Sequence, residues 1–200
     1  MCEPVLIRDM KPYLAGLIDS DGSIKCVVRK RKRRNKQWSL LPEVHFYQYF
    51  AGLLDGDGGM AQKIIRSKGA KNGFLFALNV YVSATACENL TKFFESAQEK
   101  FGIHFSKAIY KTKNVTMLDW YVCRRDEVKK LLQNIFPYLI IKKEQARIIL
   151  EEIIPRMEEG LHLTKEGMIE IMYYADLLSA LHKKGKRKYS QRYFKDLWGL

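Results

Sequence analysis

The chain has little proline, five residues in 200, and its four cysteines, Cys2, Cys26, Cys87 and Cys123, stand far apart with no CxxC pair. That spacing argues against a disulfide framework and suits a reducing compartment. The four histidines fall in no HExxH or zinc-finger spacing, which removes a structural zinc, and GxxxxGK[ST] is missing, which removes support for nucleotide hydrolysis. No apolar run reaches the roughly 18 residues needed to cross a bilayer. The start MCEPVLIRDM lacks the basic-then-apolar order of a secretory signal, so the expectation is a soluble chain with no membrane partner.

Acidic residues are outnumbered, 22 against 35 Lys and Arg, for a net charge of +13. The excess is uneven: residues 1–44 carry ten basic and five acidic residues, 45–182 carry 18 and 16, and 183–200 carry seven and one. With 47% hydrophobic and 12% aromatic residues the chain can build a core, as one domain or two small ones. The surplus charge then points to a polyanionic partner, nucleic acid before membrane.

The most informative feature is an internal repeat. YLAGLIDSDG at residues 13–22 recurs as YFAGLLDGDG at residues 49–58, with seven of ten positions identical. Each copy reads as a helix with a greasy face (Leu14, Leu17, Ile18; Phe50, Leu53, Leu54) and a small-residue face (Ala15, Gly16, Asp19; Ala51, Gly52, Asp55). Small residues at that spacing let two helix backbones approach closely. Paired helices would bring Asp21 and Asp57 together, an arrangement that a divalent cation stabilises, and hard oxygen donors point to Mg²⁺. A calcium loop does not fit, because position 12 counted from Asp19 is Lys30 and from Asp55 is Arg66, where a bidentate Glu is required.

After each motif the apolar period switches to alternation, predicting hairpins over 23–30 with 37–47, 60–68 with 74–83, and 104–111 with 116–124. Helices are predicted near 86–101, 126–135, 143–154 and 165–182, so the fold class is α+β, an antiparallel sheet backed by helices. The sheet face away from the helices then offers Lys63, Arg66, Lys68, Asn79, Tyr81, Lys107, Tyr110, Lys111 and Arg124 to a DNA groove, where Arg and Lys read guanine and Asn reads adenine. Residues 29–36 place seven positive charges in eight positions; with Lys25, Arg29, Arg31 and Arg33 they form a phosphate-tracking hairpin, a disordered turn or a nuclear localisation signal. The C-terminal run around Lys186 and Arg187 repeats that choice.

At the two motifs the sequence resembles the LAGLIDADG homing endonucleases. From Tyr49 onward it is similar to a complete subunit of the single-motif, group I intron-encoded branch, including FPYLIIKKEQA at 136–146 and YADLL at 174–178. The resemblance implies a saddle of hairpins backed by helices, with the motif helix at a dimer or pseudo-dimer interface. It implies a double-stranded DNA target of roughly 20 base pairs cut on both strands, with Mg²⁺ (or Mn²⁺ or Ca²⁺ in a crystal) between the motif helix ends. Asp57 and Asp21 are the implied metal carboxylates, with Gly56 and its counterpart Ser20 beside them. Lys142 matches a lysine near the cleavage centre, and Gln48 stands where a strand-end glutamine would. Implied surroundings are an organelle, chloroplast or mitochondrion, or a prokaryotic cytoplasm. A non-cleaving alternative is an RNA-splicing maturase or a DNA-binding regulator of the same fold.

Asp21 and Asp57 are only 36 residues apart, whereas a full repeat needs roughly 80 or more. The division expected is therefore 1–44 as a partial repeat, a motif helix and a basic hairpin, and 45–200 as a complete subunit. Two architectures follow: a homodimer joined through the second motif helices, which the completeness of the second repeat favours, or a lopsided monomer whose two motif helices pair within one chain. Nine residues of helix between Gln48 and Asp57 span about 13 Å, which conflicts with a place for Gln48 at the carboxylates.

Overall fold

A computed structural model describes residues 11–21, 43–112, 115–181 and 188–200. The expected hairpin over 23–30 and 37–47 lies outside the described residues up to position 42. From Glu43 onward the chain is helical, a correction to the strand expected through residue 47. Two helices open the described fold, α1 (Lys11–Asp21) and α2 (Glu43–Asp57), followed by β1 (Gly58–Arg66), β2 (Phe74–Thr85), α3 (Glu88–Phe101), β3 (Ser106–Lys111) and β4 (Thr116–Val122). Then come α4 (Arg125–Ile135), α5 (Lys143–Arg147), a π-helical stretch (Ile148–Ile153), α6 (Ile154–Glu158), α7 (Lys165–Ala180) and α8 (Gln191–Trp198). The four strands form one antiparallel sheet in the order β1-β2-β4-β3. The α+β expectation, with its two later hairpins, holds.

Alternation along β2 sets the layers. Phe74, Phe76, Leu78, Val80 and Val82 are buried against the helices, while Leu75, Ala77, Asn79, Tyr81 and Ser83 point the other way. Beneath the sheet, Phe46, Phe50, Phe94, Phe101 and Phe105 form an aromatic cluster, and Phe94 stacks on Trp120 with ring centroids 4.8 Å apart. Each fully buried ring contributes about 1.5–3 kcal/mol. α2 runs through this core, with Phe50, Ala51, Leu53, Leu54 and Asp55 all buried. Its last residue, Asp57, leads straight into β1, so the motif's acidic end is fixed to the corner of the sheet.

Between α5 and α6 the helix widens into π geometry, its Ile154 N–H reaching back to the Ile149 carbonyl. Pro155 supplies the cause: it has no N–H to donate and its ring crowds the preceding turn. The helix α8 was not anticipated. It starts at the Ser190 cap, which accepts from the Tyr193 N–H, and buries Phe194 against Phe74 at 4.9 Å between centroids. No helix among the described residues is long and apolar enough to cross a membrane.

Candidate active site at the paired helix ends

The two motif helices pack on each other within the chain, and glycine makes the approach possible. A Cβ at Gly16 would collide with the Tyr49 carbonyl oxygen and lie 2.9 Å from the Leu53 N; a Cβ at Gly52 would collide with the Tyr13 carbonyl oxygen and lie 2.9 Å from the Leu17 N. The contacts are reciprocal under a shift of 36 residues, so α1 and α2 are related by a local two-fold. Asp21 therefore ends α1 at the place that corresponds to Asp57 at the end of α2. The Gly52 face of α2 packs against α1 of the same chain.

Asp55 organises the site, and sequence reasoning missed it. Its carboxylate is 3% exposed and accepts four hydrogen bonds: from the Tyr13 hydroxyl of α1 at 2.7 Å and from the backbone N–H groups of Ile140 (2.8 Å), Ile141 (3.0 Å) and Lys142 (2.9 Å). Burial, and then the Asp55 carboxylate, push the Tyr13 hydroxyl far above its usual pKa, which keeps it a donor. The Lys142 ammonium donates in turn to the Asp55 backbone carbonyl. One aspartate thus ties α1, α2 and the turn after α4 together, and it holds a cation at the C-terminal end of α2, where the helix dipole favours positive charge.

Asp57 is half-buried beside Gly56, two residues beyond the aspartate whose carbonyl accepts from Lys142. Ser20 and Asp21 close α1. The described donors are the Asp57 carboxylate and the Gly56 carbonyl, the Asp21 side chain lying outside the described residues, and among the described residues no three His, Cys, Asp or Glu gather anywhere. Such hard and sparse oxygen donors fit Mg²⁺, which takes one or two carboxylates and fills its shell with water and phosphate oxygens; they do not fit zinc. Gln48 is not at this site: it is 4% exposed in the first half of α2, with Oε1 lacking a hydrogen-bond partner among the described residues.

Strand register sorts the expected DNA-binding residues. Lys63 pairs with Ala77, and Asn79, Tyr81 and Tyr110 share its open face of the sheet. Arg66, Lys107 and Lys111 have the opposite parity and correct that expectation. Arg66 donates to the Tyr193 hydroxyl of α8 at 2.7 Å, Lys107 lies over the Trp120 ring at 5.9 Å, and Lys111 pairs with Thr116 on the helix side of the edge strand. Lys68 is exposed in the β1–β2 turn, and Arg124 is exposed just after β4 with a 3.8 Å ion pair to Glu127. Lys25, Arg29, Arg31, Arg33, Lys186 and Arg187 lie outside the described residues. On its open face the four-stranded sheet carries one Lys, Lys63, and one Asp, Asp119, so it is polar and aromatic, not basic.

No family model and no curated protein matches the chain. Solved structures do. The homing endonuclease I-CvuI, in complex with a DNA target, superposes with a TM-score of 0.63 at 19% identity, covering 79% of this chain and 96% of that one. An archaeal intron-encoded homing endonuclease complexed with DNA gives 0.60 at 20% identity, covering 76% and 92%. The meganuclease I-SmaMI bound to uncleavable DNA gives 0.58 at 22% identity, and there 78% of this chain covers only 49% of the other. The chain has the fold of the LAGLIDADG homing endonucleases.

Proposed function

We propose that this chain is a site-specific, divalent-metal-dependent DNA endonuclease of the homing type, a phosphodiester hydrolase acting on a long duplex. The observation that carries the reading is the glycine-mediated pairing of α1 and α2, which sets two aspartate-ended helices side by side with an anchored lysine next to them. A protein that only bound nucleic acid would gain nothing from acidic ends turned toward phosphate. A bound Mg²⁺ would lower the pKa of a water and neutralise charge on the phosphate oxygens. Asp57 and Asp21, with the Gly56 carbonyl, would hold it. Lys142 would meet the negative charge that builds on the scissile group. The open sheet face would lie along the groove, with Lys63, Asn79, Tyr81 and Tyr110 toward the bases.

The test starts from duplexes recovered by binding selection from a randomised library, incubated with the full chain and Mg²⁺. Wild type is expected to cut them, and Asp57→Asn to bind as tightly or more tightly without cutting, since one change removes both a metal ligand and a charge repelling phosphate. Cleavage by Asp57→Asn at the wild-type rate would sink the assignment.

A further inference from the structure

Asp119 is the single acidic residue in the four strands of the sheet. Its neighbours Leu118 and Trp120 are buried against the helices, so alternation places Asp119 on the open face, half-buried in the middle of β4. Directly across from it stand Ser83 on β2 and Ala108 on β3, both too small to cover the carboxylate. The Tyr110 hydroxyl donates to Asp119 Oδ1 at 3.3 Å, and among the described residues no group donates to Oδ2. The one lysine of this face, Lys63, is no counter-ion for it. Lys63 pairs with Ala77, six positions along β2 from Ser83, which puts it about 20 Å away at the usual strand rise.

A carboxylate laid against DNA is repelled by the phosphates whatever the sequence, and only a hydrogen-bond donor on a base edge offsets that repulsion. In the major groove the donors are the N4 amino group of cytosine and the N6 amino group of adenine. Adenine sets its N7 acceptor beside the donor, where the second carboxylate oxygen meets a lone pair; cytosine has no such acceptor. Building on the endonuclease reading above, we propose that Asp119 reads a cytosine in the target, Oδ2 accepting from the N4 amino group while Tyr110 holds Oδ1 and fixes the carboxylate plane. Asp119 selects sequence and takes no part in breaking the phosphodiester. A wrong base pair at a position read in this way lowers affinity by roughly 5- to 150-fold.

The experiment uses the full chain and a randomised duplex library, with the bound sequences compared between wild type, Asp119→Ala and Asp119→Asn. Wild type is expected to select cytosine at a position where Asp119→Ala accepts all four bases. Asp119→Asn, which gains an amide donor, should move the choice there to adenine. A second measurement needs no variant: a duplex with N4-methylcytosine at that position should bind wild type about 10-fold or more weakly than the unmodified duplex, because the methyl group replaces the hydrogen that faces the groove. Tyr110→Phe should keep the choice of cytosine with a smaller preference. Enriched sequences that are the same for wild type and Asp119→Ala, a base other than cytosine at the affected position, or full wild-type affinity for the methylated duplex overturns the inference and leaves the endonuclease reading standing. A library from which wild type enriches no sequence overturns both.

Discussion

Tyr13 and Asp55 are 42 positions apart in sequence, and their 2.7 Å hydrogen bond is a buried polar link across the helix seam. Removing only the hydroxyl, in Tyr13→Phe, leaves the buried carboxylate with its three backbone donors. A hydrogen bond to a charged group contributes about 1.5–3 kcal/mol, so urea unfolding should show a loss of that size with an unchanged m value. Asp55→Ala should cost more, about 3 kcal/mol or more, because the backbone N–H groups of Ile140, Ile141 and Lys142 lose their shared acceptor. Hydrogen exchange at those three amides would report it directly, with protection lost in Asp55→Ala and kept in Tyr13→Phe. The Asp-x-Asp-Gly motif is plain in the sequence, and so is the acidity of its second aspartate. The role of the first is not, because its partners lie 42 residues upstream and 85 to 87 downstream and no local pattern marks them. Lys142 was reachable only through the resemblance of its segment to a known family.

Helix pairing and strand register were legible to different depths. The seam could be read because a small residue at the same place in two copies of one motif has few other uses, and Gly16 and Gly52 are indeed where the backbones meet. Gly52→Ala would drive a methyl into the Tyr13 carbonyl; the expected cost is about 1–3 kcal/mol or a displaced α1, visible as a lower urea midpoint and as new protease cleavage within residues 11–21. Gly16→Ala should give the same result, as the local two-fold requires. Register was harder. Alternation identifies a strand but not which of its faces meets the helices, and with period two a wrong choice moves every residue across the sheet. Arg66 and Lys107 show this, each an exposed cation whose parity puts it with Phe74 or Trp120. α8 escaped notice because eight residues show little period, although Ser190 and Gly199 bracket it with the caps expected of a helix.

Charge is distributed at the scale of the whole molecule. Of the 35 Lys and Arg, 14 fall in the segments outside the described residues, against two of the 22 Asp and Glu, so the described part is close to neutral. Affinity for DNA should therefore fall steeply with salt, by about 0.9 logarithmic units per phosphate contact for each tenfold rise. Replacing Lys183, Lys184, Lys186 and Arg187 with glutamine should flatten that slope while sparing the sequence selected. A slope unchanged by the replacement would assign that segment's charge to another purpose. The same chain also has a far-reaching order of assembly. α1 and α2 are near neighbours in sequence, but Phe194 seals the end of the sheet at Phe74, 120 positions earlier. On the ribosome the helix pair can form early, whereas the ring of Phe74 must wait for most of the polypeptide to be made. Until α8 emerges, the growing chain carries an open apolar patch, the surface that chaperones hold and proteases search for.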